Sequence, residues 1–373
     1  MRAEKERLIR ISRRTDIKGW KKAVIIASAV LVSFLLFGII ANIASPGSFL
    51  KFYEFFYYGT LMNPNTIVTL LWYSAFSFGI AVALTPVFKM KFWNIGAEGQ
   101  CLMGGLGALV VMIFIAPKVP IVIAIILEVL FAVIFATIWT VIPAIFKALF
   151  NTNETLFTLM MNYVATNVVL SFTSANSNSP SGGIERLWEN EHYGWLPQLP
   201  YFNNSYIINI VIIIFVAILL FIYLKYSKHG YELSVVGGSQ NTARYVGINV
   251  KKVIIRTAIL CGVICGLVGF VVVAGNEQAL KASSIGGRGF SSIIICWMGE
   301  FSIPAMAIYS FLTSFMTLGC ENASAMIDGC DNAIAQMSVA LFFLILLICT
   351  FFINFKIHIN LPGKKKEVEG GAL

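Results

Sequence analysis

The chain has 373 residues, 58% of them hydrophobic and 12% charged, with a mean hydropathy of +0.81 and a net charge of +9. Soluble domains run at about 45–50% apolar and about 25% charged, so this composition excludes an ordinary soluble enzyme and defines a polytopic membrane protein. The excess positive charge clusters beside apolar runs, which points away from nucleic acid and toward membrane topology.

Residues 1–22 carry nine basic residues against Glu4, Glu6 and Asp16. They read as a basic cytoplasmic tail in front of an apolar run at 23–44. That run is long enough to span and no small-residue cleavage site clearly follows it, so a signal peptide is not expected. Spans need roughly 20 mostly apolar residues. Eight further candidates follow at 66–88, 97–116, 121–146, 156–172, 206–224, 253–274, 304–318 and 333–355. A shorter apolar piece at 290–298 cannot cross alone and reads as a half-helix meeting its neighbour at Gly299-Glu300. The expectation is an all-α membrane protein of about ten segments, with both termini inside. Its organisation is a tail at 1–22, a transmembrane domain at 23–355 and a basic cytoplasmic tail at 356–373.

Loop charge supports this topology. The predicted cytoplasmic loop 225–256 holds Lys225, Lys228, Arg244, Lys251, Lys252 and Arg256 against Glu232. The predicted external loop 173–205 holds Glu185, Glu189 and Glu191 against Arg186, and 320–331 holds Glu321, Asp328 and Asp331 with no base. Lys364, Lys365 and Lys366 make the C-terminal tail basic. This alternation follows the positive-inside rule. Trp188, Trp195, Pro197, Pro200 and Tyr201 in the long external loop read first as interfacial anchors; a lid and a partner surface are the alternatives. The aromatic stretch Tyr53–Tyr58, with Glu54, reads as an amphipathic helix on the outer surface.

The polar run Asn94-Ile95-Gly96-Ala97-Glu98-Gly99-Gln100 interrupts two apolar segments. Polar groups in hydrocarbon are costly unless they line a cavity or pair with protein. A broken helix along a transport pathway and a simple turn beside Lys89 and Lys91 both fit. Glu128 lies within the fourth span, where proton coupling and a hydrogen-bonded structural role are both open. In the cytoplasmic loop, Gly237-Gly238 and Gly247 bracket a short helix with Ala243 and Val246 on one side and Arg244 on the other. That helix suits docking of a cytosolic partner, although a plain solvated loop has the same composition. Gly262, Gly266 and Gly269 share one face of the seventh span in small-xxx-small spacing, which favours close helix packing over pore lining. Gly104, Gly105 and Gly107 act similarly in the third.

Walker A, His-Glu-x-x-His and Gly-x-Ser-x-Gly sequences do not occur, so neither ATP hydrolysis nor hydrolytic chemistry is expected of this chain. The three histidines, His192, His229 and His358, fall outside the candidate spans. The seven cysteines have neither metal nor redox spacing; a Cys320–Cys330 disulfide is left open. No metal or cofactor is expected.

Asn94-Ile95-Gly96-Ala97-Glu98-Gly99-Gln100 resembles the hallmark of permease subunits of ABC importers for nucleosides and simple sugars. These belong to the ribose and branched-chain amino acid permease superfamily. Asn153-Glu154-Thr155 with Thr158-Leu159-Met160-Met161-Asn162-Tyr163 is similar to that family's fifth-helix start. Ala243-Arg244-Tyr245-Val246-Gly247-Ile248 resembles its coupling loop, and Gly287-Arg288-Gly289-Phe290 the turn before its short eighth helix. Ser239 and Gln240, where the family commonly has Asn-Pro, and Thr242 and Glu300 depart from its pattern.

The resemblance implies a permease in the cell membrane that pairs with a second, related permease subunit. A cytosolic ABC ATPase would bind below and an extracytoplasmic substrate-binding lipoprotein above. It further implies that Asn94, Gly96, Glu98, Gly99 and Gln100 shape the broken helix along the pathway. Asn241, Ala243, Arg244, Tyr245, Gly247 and Ile248 would meet the ATPase. A proton-coupled secondary transporter using Glu98 or Glu128 is the rival reading, and a non-transporting membrane anchor the third.

Overall fold

The structure is a computed structural model that describes residues 9–14, 19–177, 184, 186–197 and 206–359. Arg2, Lys5, Arg7, Lys18, Glu185, Pro200, Tyr201 and Lys364 to Lys366 lie outside the described residues. Among those described, nine helices are long and apolar enough to cross a membrane, and a tenth, shorter apolar helix stands at Arg288–Met298. The chain divides into two compact units, Thr60–Leu318 and the pair Met1–Gly59 with Gly319–Leu373.

In the first of these lie α3 (Pro64–Lys89), α4 (Ala97–Phe114), α5 (Ile121–Phe150), α6 (Glu154–Ala175) and α7 (Tyr206–Tyr226). After them come α8 (Lys228–Gly238), α9 (Gln240–Tyr245), α10 (Val250–Val272) and the half-helix α11 (Arg288–Met298). Local chemistry sets their ends. Pro64 occupies the first turn of α3, and the Asn63 side chain accepts from the Asn65 amide at 2.9 Å, which satisfies one of the donors a helix start leaves open. Asn153 caps α6 in the same way. Lys147, taken from sequence as the first residue beyond a span ending at 146, lies inside α5 and pairs with Glu154 at 2.8 Å. That pair closes the short α5–α6 connection.

The most buried spans are α3, α4 and α10, and small residues let them approach. A Cβ at Gly262 would stand 2.6 Å from Thr137 Cα of α5, and one at Gly266 would stand 2.7 Å from the Ala132 carbonyl. At Gly269 it would clash with the Cys101 carbonyl of α4. Only glycine permits these backbone contacts.

The other unit holds β1 (Ile9–Arg13), α1 (Gly19–Ala44), α2 (Phe49–Tyr57), α13 (Asn332–Asn354) and β2 (Phe355–Ile359). β1 and β2 pair antiparallel, with Ile9 opposite Ile359 and Arg13 opposite Phe355. In sequence β1 falls in the basic tail at 1–22, and β2 starts at the last residue of the final span and continues into the tail at 356–373. α2 forms where an amphipathic helix was expected and buries Phe52 and Phe56. α12 (Ile303–Met326) runs well past the expected end at 318, so Cys320 and Glu321 are helical rather than in a loop. Cys320 and Cys330 are both free thiols, and the possible disulfide is not formed.

The aromatic segment corrects a further expectation. Trp188 donates its indole N–H to the Met112 carbonyl at 3.0 Å, and buried Trp195 donates to the Leu187 carbonyl at 2.9 Å. The Leu187 amide bonds the Gln278 carbonyl and the Leu196 amide the Ala274 carbonyl, both at 2.9 Å. An interfacial tryptophan keeps its N–H in the wet headgroup layer. These two spend theirs on the protein backbone, which straps the segment to the helices of its unit.

Candidate functional site: a polar break between α3 and α4

α3 ends at Lys89, and the chain turns back at Lys91, whose φ is +61°. α4 does not begin until Ala97. Asn94 donates to Cys261 Sγ at 3.5 Å. Cys261 lies about eleven residues into α10, or roughly 16 Å along it. The break therefore reaches far deeper than its sequence neighbours Lys89 and Lys91 suggest.

Its polar groups are satisfied from within. Asn94 and Gln100 exchange amide hydrogen bonds of 3.1 and 3.0 Å, and the Gly96 amide donates to Asn94 Oδ1 at 2.9 Å. From α6, Thr158 Oγ1 accepts from the Ile95 amide at 3.0 Å. Asn162 accepts from the Gly99 amide and donates to the Ile95 carbonyl, both at 2.9 Å. Thr158 and Asn162 sit four apart and so share one helix face. In sequence both residues belong to the motif that resembles the family's fifth-helix start, and the fold makes them the partners of the break. Gly99 is tight against α6, where a Cβ would stand 2.9 Å from Asn162 Oδ1.

Glu98 links this break to the half-helix α11. Its Oε1 accepts from the Gly287 amide at 2.8 Å and its Oε2 from the Gly289 amide at 2.7 Å. Gly287 caps α11 with φ +74°, a left-handed conformation that glycine adopts without strain. Two helix N-termini thus converge on one carboxylate, which offsets the positive end of each. The neighbouring Arg288 guanidinium lies 3.9 Å over the Tyr73 ring. At the far end of α11, Trp297 meets Trp93 with ring centroids 4.9 Å apart. The stretch 93–98, whose last two residues open α4, thus meets the half-helix near both its ends.

Glu128 behaves differently. It is fully buried in α5, neither oxygen has a hydrogen-bond partner, and Gly194 of the strapped segment packs against it.

At the other end of the same unit, the Ser239 hydroxyl accepts from the Thr242 amide at 3.3 Å to start α9. Gly247, with φ +81°, ends the turn that follows, and the Ile248 amide returns to the Ala243 carbonyl. Ala243 is buried while Asn241, Arg244 and Gly247 are exposed, and Tyr245 is 92% exposed. Val246, expected beside Ala243, is instead 65% exposed next to Tyr245. Lys91 reaches the Gly238 carbonyl at 3.4 Å, and Gly237 lies against the Lys89 backbone. The end of α8, which leads directly into α9, is therefore fastened to the end of α3 from which the break departs.

Residues 66–350 match the family described as the permease component of the branched-chain amino acid transport system, and the chain belongs to that family. It is a transport subunit and not an enzyme. It is similar to the guanosine ABC transporter permease protein NupP of Bacillus subtilis, 26% identical over 248 residues, covering 65% of this chain and 70% of the relative. It is also similar to the nucleoside ABC transporter permease protein NupB of Lactococcus lactis, 24% identical, covering 76% and 78%. The glucose ABC transporter permease protein TsgB13 of Haloferax volcanii is 24% identical, covering 79% and 78%.

Proposed function

We propose that this chain is a permease subunit of an ATP-driven importer for nucleosides or simple sugars. It sits in the cell membrane with both termini cytoplasmic, and a separate ABC ATPase drives it. A second, related permease subunit completes the pathway, and an extracytoplasmic binding lipoprotein delivers the cargo. Named relatives that carry guanosine, nucleosides or glucose support the cargo class. Alternating basic and acidic loops support the orientation.

The observation that supports the mechanism is the fastening of the end of α8, immediately before α9, to the end of α3 through Lys91 and Gly237. Exposed Arg244 and Tyr245, with Asn241, Gly247 and Ile248 around them and Ala243 as the anchor, form the ATPase contact. Movement of α9 on nucleotide binding pulls on the chain at Lys91, and the break from Asn94 to Gln100 transmits it to α11 through Glu98. Gly96 and Gly99 give the break its close contacts, and Gly262, Gly266 and Gly269 keep α10 packed while α11 shifts. Asn94, Glu98 and Gln100 thus shape the pathway rather than grip cargo.

The proton-coupled alternative is weakened at Glu98, whose two oxygens are both engaged by backbone amides. The deciding experiment measures uptake of guanosine and of glucose by proteoliposomes holding the complete transporter. ATP dependence with indifference to an imposed proton gradient is the expected result. Uptake that persists without ATP and follows the gradient would overturn the reading. Arg244→Ala with Tyr245→Ala should cut ATP-driven uptake at least about tenfold while leaving Thr60–Leu318 folded.

A further inference from the structure

At the end of α10 away from α8 and α9, the chain passes through a π-helical turn, Val273–Glu277, into a polar stretch before α11. Together with Arg186 it surrounds a cavity of about 430 Å³ lined by Asn276, Glu277, Lys281, Ser283 and Ser284. The size suits a small molecule, since ligand sites span about 300–1,000 Å³.

The lining is held in place. Ser284 donates its hydroxyl to Glu277 Oε2 and accepts from the Lys281 amide at 2.9 Å. This fixes the carboxylate and leaves its other oxygen for a ligand. Behind it, the strap bonds of Leu187 to Gln278 and of Leu196 to Ala274 bracket the wall that carries Asn276 and Glu277.

We propose that this cavity is a cargo subsite that grips vicinal hydroxyls of a sugar ring, whether free or as the ribose of a nucleoside. The inference rests on the nucleoside or sugar reading above. A hydroxyl both donates and accepts. The lining matches it with an acceptor carboxylate at Glu277, donors at Arg186 and Lys281, and an amide at Asn276 that does both. Among the described residues the lining is polar and aliphatic, which suits contact with ring hydroxyls. Arg186 and Lys281 would also attract a phosphate, against which Glu277 sets a single repelling charge.

The test uses the complete transporter in proteoliposomes, with initial uptake of guanosine against 2′,3′-dideoxyguanosine and of glucose against 2,3-dideoxyglucose. Glu277→Ala should lower uptake of whichever hydroxylated compound is carried by about tenfold, and that of its dideoxy analogue less than about threefold. Glu277→Asp should restore part of the preference. Equal losses for both compounds, no loss for either, or a preference for guanosine monophosphate over guanosine would overturn the subsite. If the unaltered transporter carries neither guanosine nor glucose, the cargo reading itself falls and the subsite with it. Carriage without discrimination by the variants removes the subsite alone.

Discussion

Asn94 and Gln100 face each other across the break as a reciprocal amide pair, each donating to and accepting from the other. Both side chains are almost fully buried, so neither has water to fall back on when its partner is removed. Gln100→Ala should cost about 1–3 kcal/mol, the penalty for leaving a buried amide unpaired. The double variant with Asn94→Ala should cost less than the sum of the two singles. Thermal unfolding of the purified protein in detergent, read as a double-mutant cycle, checks this.

Glu98 needs two acceptor oxygens. Glutamine offers only one and turns an amide hydrogen toward a donating backbone N–H. Glu98→Gln should therefore destabilise by about 2 kcal/mol or more, because a charge-assisted bond is lost and a donor is left facing a donor. It should also lower ATP-driven uptake with no change in the response to a proton gradient. Unfolding midpoints and uptake rates of the variant test both halves.

Close backbone approach separates glycines that matter from those that do not. Gly269→Ala drives a methyl into the Cys101 carbonyl and should cost about 1–3 kcal/mol or more by overpacking. Gly238→Ala meets nothing within 4 Å and should be neutral or slightly stabilising. The pair is measured side by side by thermal unfolding.

His229 sits between the Tyr223 hydroxyl at 3.1 Å and Thr257 Oγ1 at 3.2 Å. Because Thr257 donates to the Val253 carbonyl, its oxygen accepts from Nε2–H, and Nδ1 accepts from Tyr223. Burial, with the Arg256 charge second, holds the imidazole below its ordinary value of 6.5, while Glu232 works weakly the other way. The neutral ring is thus favoured by folding, and the unfolded chain takes up the proton first. Stability is fully present above pH 6.5 and declines as pH falls below it. The unfolding midpoint should drop between pH 7.5 and 5.5, and His229→Gln should reduce that drop.

The nine spans and the half-helix were legible because hydrophobic length alone defines them. Their ends were less so. Lys147 looked like a loop residue but lies within α5, and its salt bridge to Glu154 depends on a turn that hydropathy does not report. The polar break was legible as a break. Its depth beside Cys261 and its partners on α6 were not, since they depend on how three helices pack. Ile-Arg-Ile-Ser-Arg and Phe-Lys-Ile-His-Ile both alternate apolar and polar, as strands do, but they pair across most of the chain's length. The polar residues from Asn276 to Ser284 stood in plain view after an apolar span. Only the fold shows that they surround a cavity with Arg186.

Trp93 and Glu98 meet α11 near its opposite ends, so the half-helix is gauged at two points by one short segment. One residue added to α11 lengthens it by about 1.5 Å and rotates everything beyond by about 100°. Trp297 would then turn away from Trp93 while Glu98 still held the other end. Evolution can change the side chains between the two contacts, but the number of residues separating them is locked.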